Sequence, residues 1–352
     1  MDVDFNLQTC LEEHLTEEYK CFLHILRVAE TFIRMPMSRE SRMGRPAYPY
    51  RPFIIFELAK RHFHIDKTKD LIERLKNDPN LRQICGFKKV PHKSTFSRSL
   101  ALLSELPIFD TALDALVKDA HKDIVVYHLC RDSTAIPARE KPQPKPKKKK
   151  EKQAKKRGRP PRNAEKPEKT LTVLEKQITQ TPQQSLARID KECAWGCKKN
   201  SEGNVYFWKG YKLHLDVSDI GFPLTACVTG ANVHDSQLAI PMEQLTEQKV
   251  TFLYSLMDAG YDAATIDDFI RSRERVPIID PNKRKNNNRP PLDPAKKERF
   301  KIRTTVERSN SDLKDNYIPR AIYVKGFSKV SFVLMSAVLC LASVKYLQHF
   351  IL

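Results

Sequence analysis

Several common chemistries are missing from this 352-residue sequence. It has no G-x-x-x-x-G-K-[ST] loop, which excludes a nucleotide-driven engine of the P-loop kind. The eight cysteines are scattered at Cys10, Cys21, Cys85, Cys130, Cys193, Cys197, Cys227 and Cys340. Only Cys193 and Cys197 form a close pair, in C-A-W-G-C, and no second Cys/His pair supplies zinc-finger spacing. They read as reduced thiols of a cytoplasmic protein. The opening residues, MDVDFNLQTCLEEHL, lack the basic start and apolar run of a signal peptide. The most apolar stretch, Val330 to Leu347, is interrupted by Ser331, Ser336, Ser343 and Lys345. It fits a buried terminal helix better than a membrane span, so a soluble chain with no membrane partner is expected.

What the sequence has in excess is positive charge. Lys and Arg outnumber Asp and Glu by 62 to 43, a formal net charge of +19 with a pI near 9.5. A polyanion is the expected partner, nucleic acid first. More than half of the excess lies between Arg139 and Lys169, which holds 15 Lys or Arg against 4 Glu, several prolines and no apolar periodicity. Such a segment is expected to be disordered when free. Within it, Arg157-Gly158-Arg159-Pro160 resembles the AT-hook, whose arginines enter the narrow minor groove of A·T-rich DNA. A solvated basic linker has the same composition, and the four-residue core is a weak signal.

The flanking regions carry ordered patterns. Leu11, Leu15, Tyr19, Phe22, Leu26, Ala29 and Ile33 recur at helical steps, a packing stripe in an N-terminal helix assigned to residues 1–37. Residues 38–121 open with a Pro- and Arg-rich connector and continue as short helices. There Pro91 to Leu100 places hydroxyl N-cap candidates before a helix rich in Lys, Ser, Thr and Arg. This fits a helix-turn-helix-like DNA reader and equally an ordinary helical bundle; spacing does not separate the two.

From residue 122 the pattern becomes α/β. Ile124 to Cys130 is a short apolar strand, with Asp132 expected at its exit. A basic insertion spans about 139–185, and order is expected to resume near Leu186. Val205 to Val217 and Leu224 to Thr229 form a hairpin around Asp219 to Pro223. A helix begins near Asp235, Val250 to Met257 is a third strand ending at Asp258, and Ala264 to Arg273 is helical. Val276 to Ile279 is a further strand, followed by a helix bearing Glu307 and a final apolar helix. His234 reads as a structural turn residue. Trp208 could stack on a displaced base but reads more simply as core. Asp262 competes with Asp258 as the acid of its strand end, and Asp258 is preferred because it lies directly at the exit.

Phe300-x2-Arg303-x3-Glu307-x6-Lys314 steps by three, four and seven residues, which returns to nearly one face of a 3.6-residue helix. An aromatic, a carboxylate and two cations on one stripe suit a metal ion held against a phosphate, although salt-bridged surface helices show similar stripes.

With the acids at Asp132 and Asp258, this stripe resembles the Tyr-x2-Arg-x3-Glu-x6-Lys signature of bacterial and archaeal insertion-sequence transposases of the DDE type. Phe300 stands where the family has Tyr, which removes one possible phosphate hydrogen bond. Asp258-Ala259-Gly260-Tyr261-Asp262 resembles the family's second-acid strand end, and Gly230 to Ser236 resembles its strand-to-helix turn. Residues 42 to 100 resemble its helical N-terminal domain.

The resemblance implies an α/β, RNase H-like catalytic domain, a mixed sheet with flanking helices, preceded by an all-helical N-terminal domain. It implies Asp132, Asp258 and Glu307 as catalytic residues holding two Mg²⁺ or Mn²⁺ ions. Arg303, Lys314 and Phe300 would lie on DNA, with Arg157 and Arg159 as an added DNA arm. Implied too are metal-dependent cleavage at transposon ends, transfer of the 3′-OH into target DNA, and a homodimer on double-stranded DNA in a nucleoid-associated, cytoplasmic setting. The alternatives are an inactive or domesticated transposase that only binds DNA, and an RNase H-like nuclease without strand transfer.

Overall fold

The computed structural model describes residues 15–36, 48–142, 171–199, 203–282 and 290–351. The Arg157-Gly158-Arg159 arm therefore lies outside the described residues.

Among the described residues six helices come first: α1 (Glu17–Phe32), α2 (Arg51–His62), α3 (Thr68–Asn77), α4 (Pro79–Ile84), α5 (Lys93–Leu103) and α6 (Ile108–Ala120). Pro52 sits in the first turn of α2 and Pro79 opens α4, where a missing N–H costs nothing. The cap of α5 is the His92 imidazole, which accepts from the Ser94 N–H, and not one of the expected hydroxyls. Phe53, Phe56, Phe87 and Phe96 pack ring to ring between α2 and α5 and fix this group of helices.

The α/β region contains β1 (Val126–Pro137), α7 (Val173–Thr179), α8 (Pro182–Ala187), β2 (Ala194–Lys199), β3 (Val205–Val217) and β4 (Pro223–Gly230). It continues with α9 (Ala239–Glu247), β5 (Phe252–Met257), α10 (Ala264–Ser272), β6 (Val276–Ile279), α11 (Pro294–Phe300), α12 (Thr304–Asn316) and α13 (Phe327–Tyr346). The sheet order is β2-β3-β1-β5-β6, with β4 also on β3. β1 is antiparallel to β3 and parallel to β5, and β6 is parallel to β5, so the sheet is mixed.

Two expectations need correction, those for the basic insertion and for the helix from Phe300 to Lys314. Helices α7 and α8 begin well before Leu186, inside the stretch assigned to the basic insertion. Each starts with a reciprocal capping box, Thr172 with Glu175 and Thr181 with Gln184, which satisfies orphan N–H groups despite weak apolar periodicity. The C-A-W-G-C pair belongs to a strand edge: Cys193 and Cys197 flank and occupy β2, and the cysteines among the described residues are free thiols. The stretch from Phe300 to Lys314 is also not a single α-helix. Phe300 ends α11, Lys301–Arg303 form a 3-10 turn, and α12 starts at Thr304.

β3 is long because it serves three neighbours. Its Tyr211–Val217 half pairs with both β1 and β4, and its Val205–Gly210 half pairs with β2. Gly210 marks the junction, with φ +148, and a Cβ there would meet the Ile136 carbonyl oxygen at 2.2 Å. Only glycine lets the backbones approach that closely.

The final helix α13 is the expected buried terminal helix. It packs on α1, α2, α6 and β4, and Val330 and Leu334 to Ala342 are all buried. Each buried Leu, Val or Phe contributes about 1.5–3 kcal/mol. The helix thus ties the N-terminal helices and the sheet into one core, and its apolar surface is already covered by the fold.

Candidate active site

Register brings the first two acids together. Along the parallel β1–β5 ladder the last partners are Cys130 and Leu256. Two residues further along each strand stand Asp132 and Asp258, and a step of two keeps a side chain on the same face. Asp132 is not at the end of β1, as expected, because β1 runs on to Pro137 by pairing with β3 alone. It sits instead just past the point where β5 diverges, so one side of it opens beside Asp258.

Helix α12 brings the third acid. It packs on β1 and β3 through buried Thr305, Val306, Ser309, Asn310 and Leu313, and the Ser309 hydroxyl donates to the Gly221 carbonyl in the β3–β4 turn at 3.2 Å. This docking points Asn310 at Asp132 and sets Glu307 against Arg303.

All three carboxylates face one guanidinium. Arg303 Nη2 lies 3.4 Å from Asp132 Oδ1 and 3.9 Å from Asp258 Oδ2, and Nη1 donates to Glu307 Oε1 at 2.5 Å. Arg303 Nε has no acceptor among the described residues. Asn310 Nδ2 donates to Asp132 Oδ2 at 3.1 Å, and the Gly260 N–H donates to Asp258 Oδ1 at 2.9 Å. Burial raises the pKa of Asp132, an effect that Arg303 opposes. Asp258 is likewise raised by burial and pulled back by Arg303 and the Gly260 N–H. The site therefore concentrates negative charge that needs a cation, and Arg303 supplies one.

The remaining expected site residues are placed as follows. Phe300 is half-buried against the core, its ring 5.9 Å from the Arg303 guanidinium, so it supports Arg303 from behind. Lys314 stands two turns beyond Glu307, outside the acid cluster; partial burial lowers its pKa, and the nearby Lys198 of β2 adds to the effect. Asp262 points elsewhere and accepts the Asn282 N–H at 2.8 Å. Trp208 is buried, with Nε1 donating to the Tyr211 carbonyl, so it is core and not a stacking platform. His234 caps the turn at Asp235 by accepting from the Ser236 N–H.

Sequence reasoning missed the support beneath the site. Arg131 points to the opposite face from Asp132 and is fully buried. It makes a bidentate pair with Asp216 (Nε–Oδ1 2.6 Å, Nη2–Oδ2 2.7 Å), donates to the Ala239 carbonyl at 2.7 Å, and lies 3.3 Å from Glu243 Oε2. The Thr246 hydroxyl donates a second bond to Asp216 Oδ2, and the Ser255 hydroxyl donates to Glu243 Oε1. This network clamps β1 to β3 and α9. The only signal for it in the sequence is a charged residue inside an apolar strand.

The donor set fits a hard divalent cation: three carboxylates, all oxygen, arranged around a position already held by positive charge. Among the described residues no three acids stand at metal-ligand spacing, and Arg303 pairs with all three.

A mixed sheet with three acids around one guanidinium, beside a helical N-terminal region, fits the DDE-type transposase class. Residues 166–342 match the family model described as a transposase DDE domain, and residues 12–101 match a second one, a transposase domain (DUF772). The chain belongs to the transposase DDE domain family. The first match contains Asp258 and Glu307, while Asp132 lies ahead of it. No curated protein and no solved structure matches the chain.

Proposed function

We propose that this protein is an insertion-sequence transposase that cuts DNA at the ends of its element and transfers the exposed 3′-OH into target DNA. The carrying observation is the convergence of Asp132, Asp258 and Glu307 on one guanidinium, from two adjacent parallel strands and a helix docked on them. The Phe300, Arg303, Glu307 and Lys314 spacing supports the bacterial or archaeal group with the Tyr-Arg-Glu-Lys signature. The strand order supports an RNase H-like domain at 122–352 after the helical regions at 1–37 and 38–121.

Asp132, Asp258 and Glu307 are the residues that would hold two Mg²⁺ or Mn²⁺ ions. When bound, such ions supply activation of the attacking oxygen and charge relief for the leaving one. The chain's own groups do the rest. Asn310 and the Gly260 N–H fix the rotamers of Asp132 and Asp258, so both carboxylates are oriented before DNA arrives. Arg303 opposes the upward pull of burial on the Asp132 and Asp258 carboxyls in the free protein and, with its Nε lacking an acceptor among the described residues, is positioned to turn onto a phosphate. Phe300 buttresses that side chain, and Lys314 contacts a phosphate farther along the same strand. Arg157 and Arg159 add minor-groove contacts. Joining two element ends requires two active sites, so the working form is a homodimer on double-stranded DNA, in a nucleoid-associated, cytoplasmic setting.

The test is purified protein on a supercoiled plasmid carrying the element's own ends, with Mg²⁺ or Mn²⁺. Cutting at the ends and joining into target DNA are expected. Cutting without joining would leave a nuclease, and binding without cutting would leave a DNA-binding protein.

A further inference from the structure

A cavity of about 560 Å³ lies where the N-terminal helices meet the catalytic region. Lys60, Arg61, Tyr206, Lys314, Tyr317 and Arg320 are among the side chains lining it. Its most unusual feature is a buried pair of cations at the end of α2. Lys60 is 3% exposed and Arg61 2%. Lys60 has partial compensation: Nζ lies 3.7 Å from Glu57 Oε2 and 3.2 Å from the Thr68 hydroxyl. Arg61 has no close partner: Glu57 and Asp66 favour its charge only from a distance, and burial outweighs them. It forms no salt bridge among the described residues, Nη1 reaches the Tyr317 carbonyl at only 3.4 Å, and Nε has no acceptor there.

A buried guanidinium without a carboxylate is costly, and folds usually supply one, as this fold does for Arg131. The nearby acids are Glu57, which is tied up with Lys60, and Asp66 and Asp315, which line the cavity without pairing with Arg61. Arg320 and Lys314 add to the positive side of the balance. The cavity is therefore built for an anion.

Its position identifies the kind of anion. Ala135, Ile136 and Pro137 of β1 line it, three to five residues beyond Asp132 on the same strand. At about 3.3 Å per residue that is roughly 10–16 Å from the carboxylates. Lys314 belongs both to the cavity and to the helix that carries Glu307. A DNA strand held at the acids is extended and carries repeated negative charge, so its further phosphates can lie over this cavity. At about 3.4 Å per nucleotide along one strand, the span equals roughly three to five nucleotide steps.

We infer that Lys60 and Arg61 form a phosphodiester-binding site for the DNA end under reaction, gripping a backbone phosphate three to five nucleotides from the one held at the carboxylates. This inference rests on the transposase reading. It gives the helical region a direct part in aligning the DNA end, separate from any contact by α5.

The experiment measures binding of a labelled duplex, ending in the element's terminus, to full-length wild type, R61M and K60Q over a KCl series, alongside thermal unfolding. R61M removes a poorly compensated buried charge, so its melting temperature is expected to stay level or rise. Its affinity is expected to fall about tenfold, and its log K against log [salt] slope to shrink by about one. K60Q is expected to shift affinity and slope in the same direction. Wild-type affinity and slope in both variants would overturn the inference, as would an R61M protein whose melting temperature drops while its DNA affinity holds.

A second arm uses wild type alone, so it stands even where a variant fails to fold. Neutral methylphosphonate linkages are placed singly along the duplex terminus. A loss of about tenfold at one of the third to fifth positions is expected, and no loss at any of them overturns the site. A wild type that neither binds nor cuts the terminus would instead remove the transposase reading itself.

Discussion

Cys130 and Leu256 are paired across the parallel β1–β5 ladder, and two residues beyond them on each strand stand Asp132 and Asp258. The closeness of these acids is thus a property of the ladder and not of either side chain. Two carboxylates held side by side repel each other unless a cation lies between them, and here Arg303 does so.

Because Arg303 and a divalent ion want the same carboxylates, Arg303→Ala should bind Mn²⁺ more tightly than wild type in the absence of DNA. The expected gain is about tenfold, equivalent to about 1.4 kcal/mol. Electron paramagnetic resonance of free Mn²⁺ during titration reads it directly. Equal or weaker binding by the variant would show that the guanidinium does not compete for the site.

The clamp under the site is expected to matter for stability. Arg131→Met leaves Asp216 and Glu243 buried beside each other, and breaking a buried pair from one side costs about 3–5 kcal/mol. Urea unfolding should show a loss of that size. A change below about 1 kcal/mol would mean the network relaxes or admits water.

His214 gives a pH signature. It is fully buried opposite Ser133 in the β1–β3 register, its Nε2 bonded to the Thr229 hydroxyl at 3.0 Å and its Nδ1 without a hydrogen bond. Burial lowers its pKa to about 4, with Asp235 only partly opposing the effect. The unfolded chain, with an ordinary value near 6.5, therefore takes up the proton first as pH falls. Stability supplied by neutral His214 is complete above about pH 6.5 and is lost on the way down to pH 4. His214→Gln should flatten that limb by up to about 1.4 kcal/mol per pH unit. Superimposable pH–stability curves for the two proteins would contradict this.

Much of the α/β order was legible because each strand is a short apolar run bounded by turn residues. Val205–Val217, the return strand, Phe252–Met257 and Val276–Ile279 all stand where alternation and turns put them. Pairing was not legible. The contact between β1 and β5 joins segments more than a hundred residues apart, and no local pattern encodes it. The full length of β1 was missed for the same reason, since residues beyond Asp132 are strand only because β3 pairs with them.

The site was half legible. The acids stood out as carboxylates at strand ends and on a helix, but the ion pairs that Arg303 makes with all three were not readable. Helical spacing shows which residues share a face, and only tertiary packing shows that this face closes over Asp132. Buried Arg131, Lys60 and Arg61 ran against the rule that charge stays outside, so their surroundings could be known only from the fold.

The central claim is that Asp132, Asp258 and Glu307 act as one cutting site. Its most direct measurement is end cleavage of the supercoiled plasmid in Mg²⁺ or Mn²⁺ by wild type and by Asp132→Ala, Asp258→Ala, Glu307→Ala and Asp262→Ala, with DNA binding followed in parallel. The account predicts that each of the first three variants binds the ends and fails to cut them, by at least about a thousandfold, while Asp262→Ala cuts. Cutting that survives in Asp258→Ala and is lost in Asp262→Ala, or a wild type that binds and never cuts, would contradict it.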